Sequence, residues 1–409
     1  MYTLYHNPEL WKTDRFLSPL QERTEGLRLL SLDLFDTLLF RACAKPSDVF
    51  RLTGRRATAA GLLKASVSEA EYTAVRERAE RKARARKLRE EGHDEVTLEL
   101  IYAEMPASWG PADRLLSLEL DVERELCYLN PHVVSLLSWC RSRAIPVALV
   151  SDMYLSSEQL RRILTEAGLA GSEFELLLVS SEQLVSKSAG TLFDRLLAHF
   201  PSVRPDEIVH IGDNERADVQ GARTRGIFAL HYNVVPERFD SPYHWESVRH
   251  DEALPELLSL RKAASAVRAT GSKGQDAQAF YALGAGMAGP FLSAFCEWVV
   301  DQCLAEGRSE VHPLMREAVL LAPMLEQAAR LRSVELKVVP LYVSRQATYL
   351  ASLANGLDGA ELDRLLHTVG ATVEGLFRTL GIEAALGDFA AWRTLPLAEL
   401  SPDDESDDG

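Results

Sequence analysis

The chain has 409 residues, enough for two or three domains, each with a core of its own. Apolar residues make up 46% and charged residues 26%, ordinary soluble usage that excludes wholesale disorder, collagen and coiled coil. The net charge is −15, opposite in sign to the basic footprint of a nucleic-acid binder, so no nucleic-acid partner is expected. Five cysteines (Cys43, Cys127, Cys140, Cys296, Cys303) show neither CxxC nor zinc spacing, which points to reduced thiols and a cytoplasmic location. The opening MYTLYHNPELWKTDRF lacks a basic segment followed by an apolar run, so no signal peptide is readable.

Residues 27–35 (LRLLSLDLF) form a short apolar run bounded by Gly26 and the Asp36-Thr37 turn. Residues 42–140 then read as helices inserted after this first strand. Within the insert, residues 76–91 (RERAERKARARKLREE) carry eight basic and four acidic side chains and read as a solvated helix face with i,i+4 pairs. Four further apolar runs follow at 145–151, 174–180, 207–212 and 227–232, and amphipathic segments such as 157–168 and 189–199 separate them. Buried strands alternating with helices predict an α/β fold, a doubly wound parallel sheet. The expected core is therefore 1–41 with 141–235, carrying 42–140 as a helical cap.

Residues 236–275 are polar, contain Pro236, Pro242, Pro255 and GSKGQD, and read as a linker. A second, smaller α/β domain is expected over 276–395, mostly helical, with helices at 277–304, a strand at 309–315, a helix at 316–332 and a strand at 335–343. Residues 277–296 are free of charge but contain Gly284, Gly286, Gly289 and Pro290. A buried bundle helix with a break is expected there, and no membrane span. Residues 396–409 form an acidic tail.

Four local patterns sit at the carboxyl ends of predicted strands, where open α/β sheets place their ligands. Asp33 ends the first strand in LDLFDTLL. Ser151 ends the second in LVSDMYL. Lys187 follows the third in SSEQLVSKSAGTLF, and Asp213 and Asp218 follow the fourth in IGDNERAD. The chemistry they can share is phosphoryl transfer. An aspartate is a competent nucleophile toward phosphorus. A second carboxylate lets a magnesium ion bind against the attacking group and the phosphate. A hydroxyl and an ammonium then neutralise the equatorial oxygens. Singly, each pattern also fits a helix cap or a turn former; the signal is their joint occurrence in order.

With these motifs in place, residues 27–232 resemble the haloacid dehalogenase superfamily of hydrolases. The resemblance rests on hhhDxxxT from Asp33 to Thr37, on Ser151, on Lys187 and on GDxxxxD from Gly212 to Asp218. It implies that Asp33 is the nucleophile and that Mg2+ is held by Asp33, the Phe35 carbonyl and Asp213. Asp218 would support the metal shell, and Ser151 and Lys187 would bind the phosphoryl group. Thr37, Asp152, Asn214 and Arg41 are the further substrate-binding candidates, Arg41 because it follows the first motif closely. The other polar groups singled out in the cap, Arg76, Glu80 and Tyr102, are expected at the solvated surface. SLDLFDTLLFR, LVSDMYLS and the trailing ALGAGMAGPF, LMREAVLL and LYVSRQA also resemble a bacterial subgroup with a second C-terminal domain, whose members often accompany glycosyltransferases. That resemblance implies a glycosyltransferase partner.

One position departs from the family pattern. Phosphatases of the superfamily carry a second aspartate two residues after the nucleophile, and that residue protonates the leaving oxygen. Here the position is Phe35, with Asp36 one residue further on. Dehalogenases of the superfamily also have an aromatic residue there, but they need no metal and lack the GDxxxxD pair. The expected function is therefore a Mg2+-dependent phosphohydrolase acting on a small phosphorylated metabolite, with a phosphate-binding scaffold as the alternative. In the second domain GAGMAG (284–289) spells GxGxxG but follows a helix, so helix packing is the expected reading. Arg316 and Arg345 follow the two strands of the C-terminal βαβ unit and are candidates for a second anion site. His312 is expected to pack within its strand.

Overall fold

The computed structural model describes residues 9–43, 45–64, 66–234, 275–343, 348, 359–360 and 371–400. The chain divides into two compact units, residues 1–291 and 292–409. Most of the expected linker at 236–275 and residues 401–409 of the expected tail lie outside the described residues.

Nine strands are taken in chain order. These are β1 (Leu29–Leu32), β2 (Leu39–Arg41), β3 (Cys127–Leu129), β4 (Val147–Ser151), β5 (Leu176–Val179), β6 (Ile208–Gly212), β7 (Phe228–His231), β8 (Glu310–Val311) and β9 (Lys337–Val338). In the first unit, five of them form one parallel sheet in the order β5-β4-β1-β6-β7. All five were predicted, because strands covered on both faces read as unbroken apolar runs. The chain leaves β1 toward β4 and β5, then crosses back to place β6 on the other side. The reversal makes the carboxyl ends of β1 and β6 the topological switch point.

The insert carries α1 (Asp48–Ala59), α2 (Glu69–Glu91), α3 (Leu98–Tyr102) and α4 (Ala112–Leu126). Helix α2 starts where the Ser68 hydroxyl accepts the Glu71 N–H and stops at Gly92, whose φ is +81°. Its arginine-rich stretch is largely neutralised in place, for example by Arg84 with Glu80 and by Arg86 with Glu104. Arg76 is neutralised too, by Glu119, but unlike the others it is fully buried.

Two features of the insert were not anticipated. Strands β2 and β3 pair antiparallel, Leu39 opposite Leu129 and Arg41 opposite Cys127, so a short ribbon closes both ends of the insert. Three-residue strands are too short to show a period. In addition, α5 (Pro131–Ser142) belongs to the core and not to the cap. Its Trp139 meets Trp11 edge to face at 5.3 Å, and its Ser135 hydroxyl accepts the Trp11 N–H. Beyond it lie α6 (Ser157–Glu166), α7 (Ser180–Gln183), α8 (Thr191–His199) and α9 (Gly221–Arg223).

In the second unit β8 and β9 pair parallel around the helix Ala318–Leu331, over a small core of Cys296, Val300, Leu325, Ala328 and Ala329. His312 is exposed just after β8, not packed. The GxGxxG residues form a π-turn, Gly284–Ala288, between two helices. Helix Ala279–Ala305 is long and apolar enough to cross a membrane by length and composition, and 18% of that window is buried. The expected burial is thus not met, since Phe280, Phe291 and Trp298 are exposed. All five cysteines are buried.

Residues 9–23 precede β1 yet contribute Trp11, Leu17 and Leu20, all fully buried, to the main core. We expect Trp11→Ala to lower the unfolding free energy by about 3–5 kcal/mol in urea, the usual range for deleting a buried aromatic. A loss below about 1 kcal/mol, typical of a surface change, would show that this segment is not part of the core.

Candidate active site

Asp33 follows β1 and is fixed there by its N–H, which donates to the Ile211 carbonyl of β6 at 2.9 Å. Asp213 follows β6, and Ser151 ends β4. Lys187 reaches the same place from the segment between α7 and α8. Its ammonium donates to Asp33 Oδ1 and, at 2.5 Å, to Asp218 Oδ1. Its backbone N–H is held by both oxygens of Asp152, at 2.9 and 3.1 Å. Lys187, Asp33, Asp218 and Ser151 are buried, and Asp213 is half-buried.

Two glycines make this approach geometrically feasible. A Cβ on Gly212 would lie 2.2 Å from Asp218 Cγ, and one on Gly221 would lie 2.1 Å from the Lys187 carbonyl oxygen. The segment 215–223 therefore settles against the lysine only because both positions lack side chains.

Asp218 is fully engaged. Besides Lys187, its Oδ1 accepts from His210 Nε2 at 3.0 Å, and its Oδ2 accepts from the Asn214 N–H at 2.9 Å. His210 lies in β6 opposite Ser31 of β1, and the Ser31 hydroxyl meets its Nδ1 at 2.8 Å. Burial pushes the imidazole pKa down, so His210 is neutral; Nε2–H then donates to Asp218 while Nδ1 accepts from Ser31. Sequence reasoning missed both residues. The available signal was a polar side chain at mid-run in each of two apolar strands.

Charge dominates the site. Burial raises the Asp33 carboxyl to about 7, although Lys187 pulls the other way. Asp213 rises to about 8, first through burial and then through its neighbours Asp33, Asp36 and Asp218. Burial also opposes the charge on Asp218, but Lys187 and His210 outweigh it and hold that carboxyl well below its usual range. Burial likewise opposes the Lys187 charge, and Asp218, Asp33 and Asp152 keep the ammonium protonated. One ammonium thus faces three carboxylates whose oxygens all lie within 4.8 Å of one another. Three carboxyl groups offer the hard oxygen donors that fit Mg2+. Asp33 and Asp213 would hold such an ion, with Asp218 fixing the lysine beside it.

The remaining candidates fall into different places. Thr37 is buried in the turn that follows Asp33, and among the described residues its Oγ1 has no hydrogen-bond partner. Asp36, in the same turn, has φ +56°, a conformation that costs a residue with a side chain. The Asn214 side chain accepts the N–H groups of Arg216 and Ala217, so it caps the following turn in place of facing a substrate. Asp152 likewise serves the Lys187 backbone. Arg41 is buried at the cap hinge, where Glu123 of α4 accepts from its Nε at 2.7 Å. Its guanidinium lies 3.9 Å from the Phe35 ring centroid, so it touches the turn through that ring.

Arg76 and Tyr102 are not at the surface as expected. Arg76 makes a bidentate pair with Glu119 at 2.8 and 2.9 Å, and Tyr102 donates to the same carboxylate at 2.6 Å. Glu119 and Glu123 stand one turn apart on α4 and each neutralises one buried arginine. Arg316 is exposed in the second unit, and Arg345 lies outside the described residues.

Against known proteins, residues 27–226 match the family of haloacid dehalogenase-like hydrolases. The phosphoserine phosphatase of Thermus thermophilus is 35% identical over 108 residues, 26% of this chain and 42% of that protein, so the chain spans less than half the length of this curated relative. Among solved structures, a 2-haloacid dehalogenase from Pseudomonas syringae pv. Tomato is 18% identical, with 53% of this chain and 90% of that chain covered at a TM-score of 0.39. A predicted phosphoglycolate phosphatase from Haemophilus somnus is 14% identical, with 57% and 97% covered at a TM-score of 0.36. The five-stranded parallel sheet and the lysine-bridged carboxylates both fall largely within residues 27–226, the segment, just under half of the chain, that is similar to the haloacid dehalogenase-like hydrolases.

Proposed function

We propose that this hydrolase is a Mg2+-dependent phosphatase that works through an aspartyl phosphate on Asp33. The observation that carries the reading is the cluster of Asp33, Asp213 and Asp218 at the β1/β6 switch point, in which Asp33 and Asp218 both accept from the ammonium of Lys187. The Asp33 carboxylate attacks phosphorus, the bond to the leaving oxygen breaks, and water then hydrolyses the acyl phosphate to restore Asp33 and release phosphate. Lys187 supplies fixed positive charge where the transferring group gathers negative charge. Mg2+, when bound, adds charge neutralisation at the phosphoryl oxygens. Thr37 offers a buried, unspent hydroxyl to the bound group. Five buried cysteines without CxxC or zinc spacing suit a reducing, cytoplasmic setting.

Phe35 narrows the substrate. Its ring is half-buried, lies under the Arg41 guanidinium and carries no proton to give. General acid help is worth roughly 10²–10⁴-fold for a poor leaving group. A substrate whose leaving oxygen departs without a proton, such as an acyl phosphate or the phosphoanhydride of a nucleoside di- or triphosphate, fits this site better than a sugar phosphate.

Three outcomes check the proposal. Asp33→Asn keeps size and hydrogen bonding but removes the attacking charge. It should abolish phosphatase turnover with an unchanged circular dichroism spectrum, and retention of most of the wild-type rate would remove Asp33 from the role. In wild type, log kcat/KM should fall steeply as the leaving group's pKa rises. Phe35→Asp should raise the rate on an alkyl phosphate about tenfold or more while leaving an aryl phosphate nearly unchanged. A shallow dependence in wild type, or no gain from the substitution, would show that another group already protonates the leaving oxygen.

A further inference from the structure

The nucleophile turn is held from behind by a buried hydrogen-bond chain that leads away from the reacting groups. The turn closes on itself through the Leu39 N–H, which donates to the Leu34 carbonyl at 2.7 Å, and the Asp36 N–H, which donates to the Leu39 carbonyl at 2.8 Å. The Thr37 carbonyl lies outside that closure. It accepts from Asn130 Nδ2 at 2.9 Å, and the same Nδ2 donates to the Tyr232 hydroxyl at 2.8 Å. Tyr232 in turn donates to Asp14 Oδ2 at 2.7 Å.

The direction of every proton in this chain is determined. Asn130 Oδ1 accepts the His132 N–H at the start of α5, so the amide nitrogen must face Thr37 and Tyr232. The Tyr232 oxygen accepts from Asn130, and its one proton goes to Asp14. Asp14 is anchored in the N-terminal segment, where its Oδ1 accepts the N–H groups of Phe16 and Leu17. Asp14, Thr37, Asn130 and Tyr232 are each exposed by 1% or less, so water does not compete for these bonds.

We propose that Asn130 and Tyr232, anchored on Asp14, are positioning residues that hold the nucleophile turn in its reactive geometry. This rests on Asp33 being the nucleophile. Two members of the chain, Asp14 and Tyr232, lie outside the family-matched residues 27–226. The clamp therefore draws on segments that flank the matched residues. It gives the N-terminal segment a role in turnover and not only in packing. Its target is the turn that contains Asp36 at positive φ, a conformation that persists only when its surroundings enforce it.

The test uses the full chain with a nitrophenyl phosphate and Mg2+. Tyr232→Phe removes the hydroxyl and little volume. Asn130→Asp keeps the α5 cap acceptor but withdraws both donors. In each variant kcat should fall about ten- to hundredfold, the cost of a small misplacement, with KM within about twofold of wild type. Amide exchange at Asp36 and Leu39 should rise in Tyr232→Phe, with no change at the β6 amides. A purely structural role would lower the melting temperature and leave the kcat of the folded protein alone, and that result would overturn the proposal. So would unchanged exchange at the turn. If Asp33→Asn retains activity in the same assay, the nucleophile assignment has failed, while the exchange measurement still decides whether the chain holds the turn.

Discussion

The site depends on a buried ammonium shared between two carboxylates. Lys187 sits in a dry setting, bonded to Asp33 on one side and Asp218 on the other, and neither charge is stable there alone. Removing one partner of such a buried arrangement typically costs 3–5 kcal/mol, because the remaining charge is stranded. Much of the surrounding structure follows from keeping it intact. Gly212 and Gly221 let segment 215–223 approach. His210 stays neutral between Ser31 and Asp218, and Asp152 fixes the lysine backbone. Those contacts set the Asp33 carboxyl at the carboxyl end of the central strand β1, beside Asp213, so that one ammonium stands among three carboxyl groups. A divalent cation would offset that imbalance.

A second pair of buried charges governs the boundary with the cap. Arg41 and Arg76 are held by Glu123 and Glu119, neighbours on one face of α4. Arg76 also lies over Tyr154, which follows β4, at 5.0 Å from the ring centroid, and Arg41 lies over Phe35. Both arginines therefore join cap helices to aromatic residues of the catalytic unit. Cation–aromatic contacts of this kind gain strength when desolvated, reaching about 2 kcal/mol or more. The aromatic ring at position 35 thus has a packing partner of its own.

The sheet was legible in the sequence because its five strands are buried on both faces and read as apolar runs between amphipathic helices. Asp33, Ser151, Lys187 and Asp213 were legible because the chain topology places strand ends together, and each ends or follows a predicted strand. What escaped the reading were partners set by tertiary contact. His210 and Ser31 pair across strands 179 residues apart in sequence. Arg76 looked like part of a solvated charge run, and only the packing of α2 on α4 buries it. Asn130 and Tyr232 sit beside ordinary helix-start and strand-end patterns that carry no chemical signature. Asn214 and Arg41 were read toward substrate because sequence proximity to a motif says nothing about side-chain direction.

The central claim is that Asp33 carries the phosphoryl group in mid-reaction, and the most direct measurement is to trap it there. Wild-type protein turning over an aryl phosphate in Mg2+ is quenched in acid, digested and analysed by mass spectrometry. The account predicts a peptide spanning Asp33 that gains the mass of one phosphoryl group, sensitive to hydroxylamine as an acyl phosphate is, and absent when substrate is omitted. Steady turnover with no such adduct at Asp33, or with the phosphoryl group on another side chain, would contradict it.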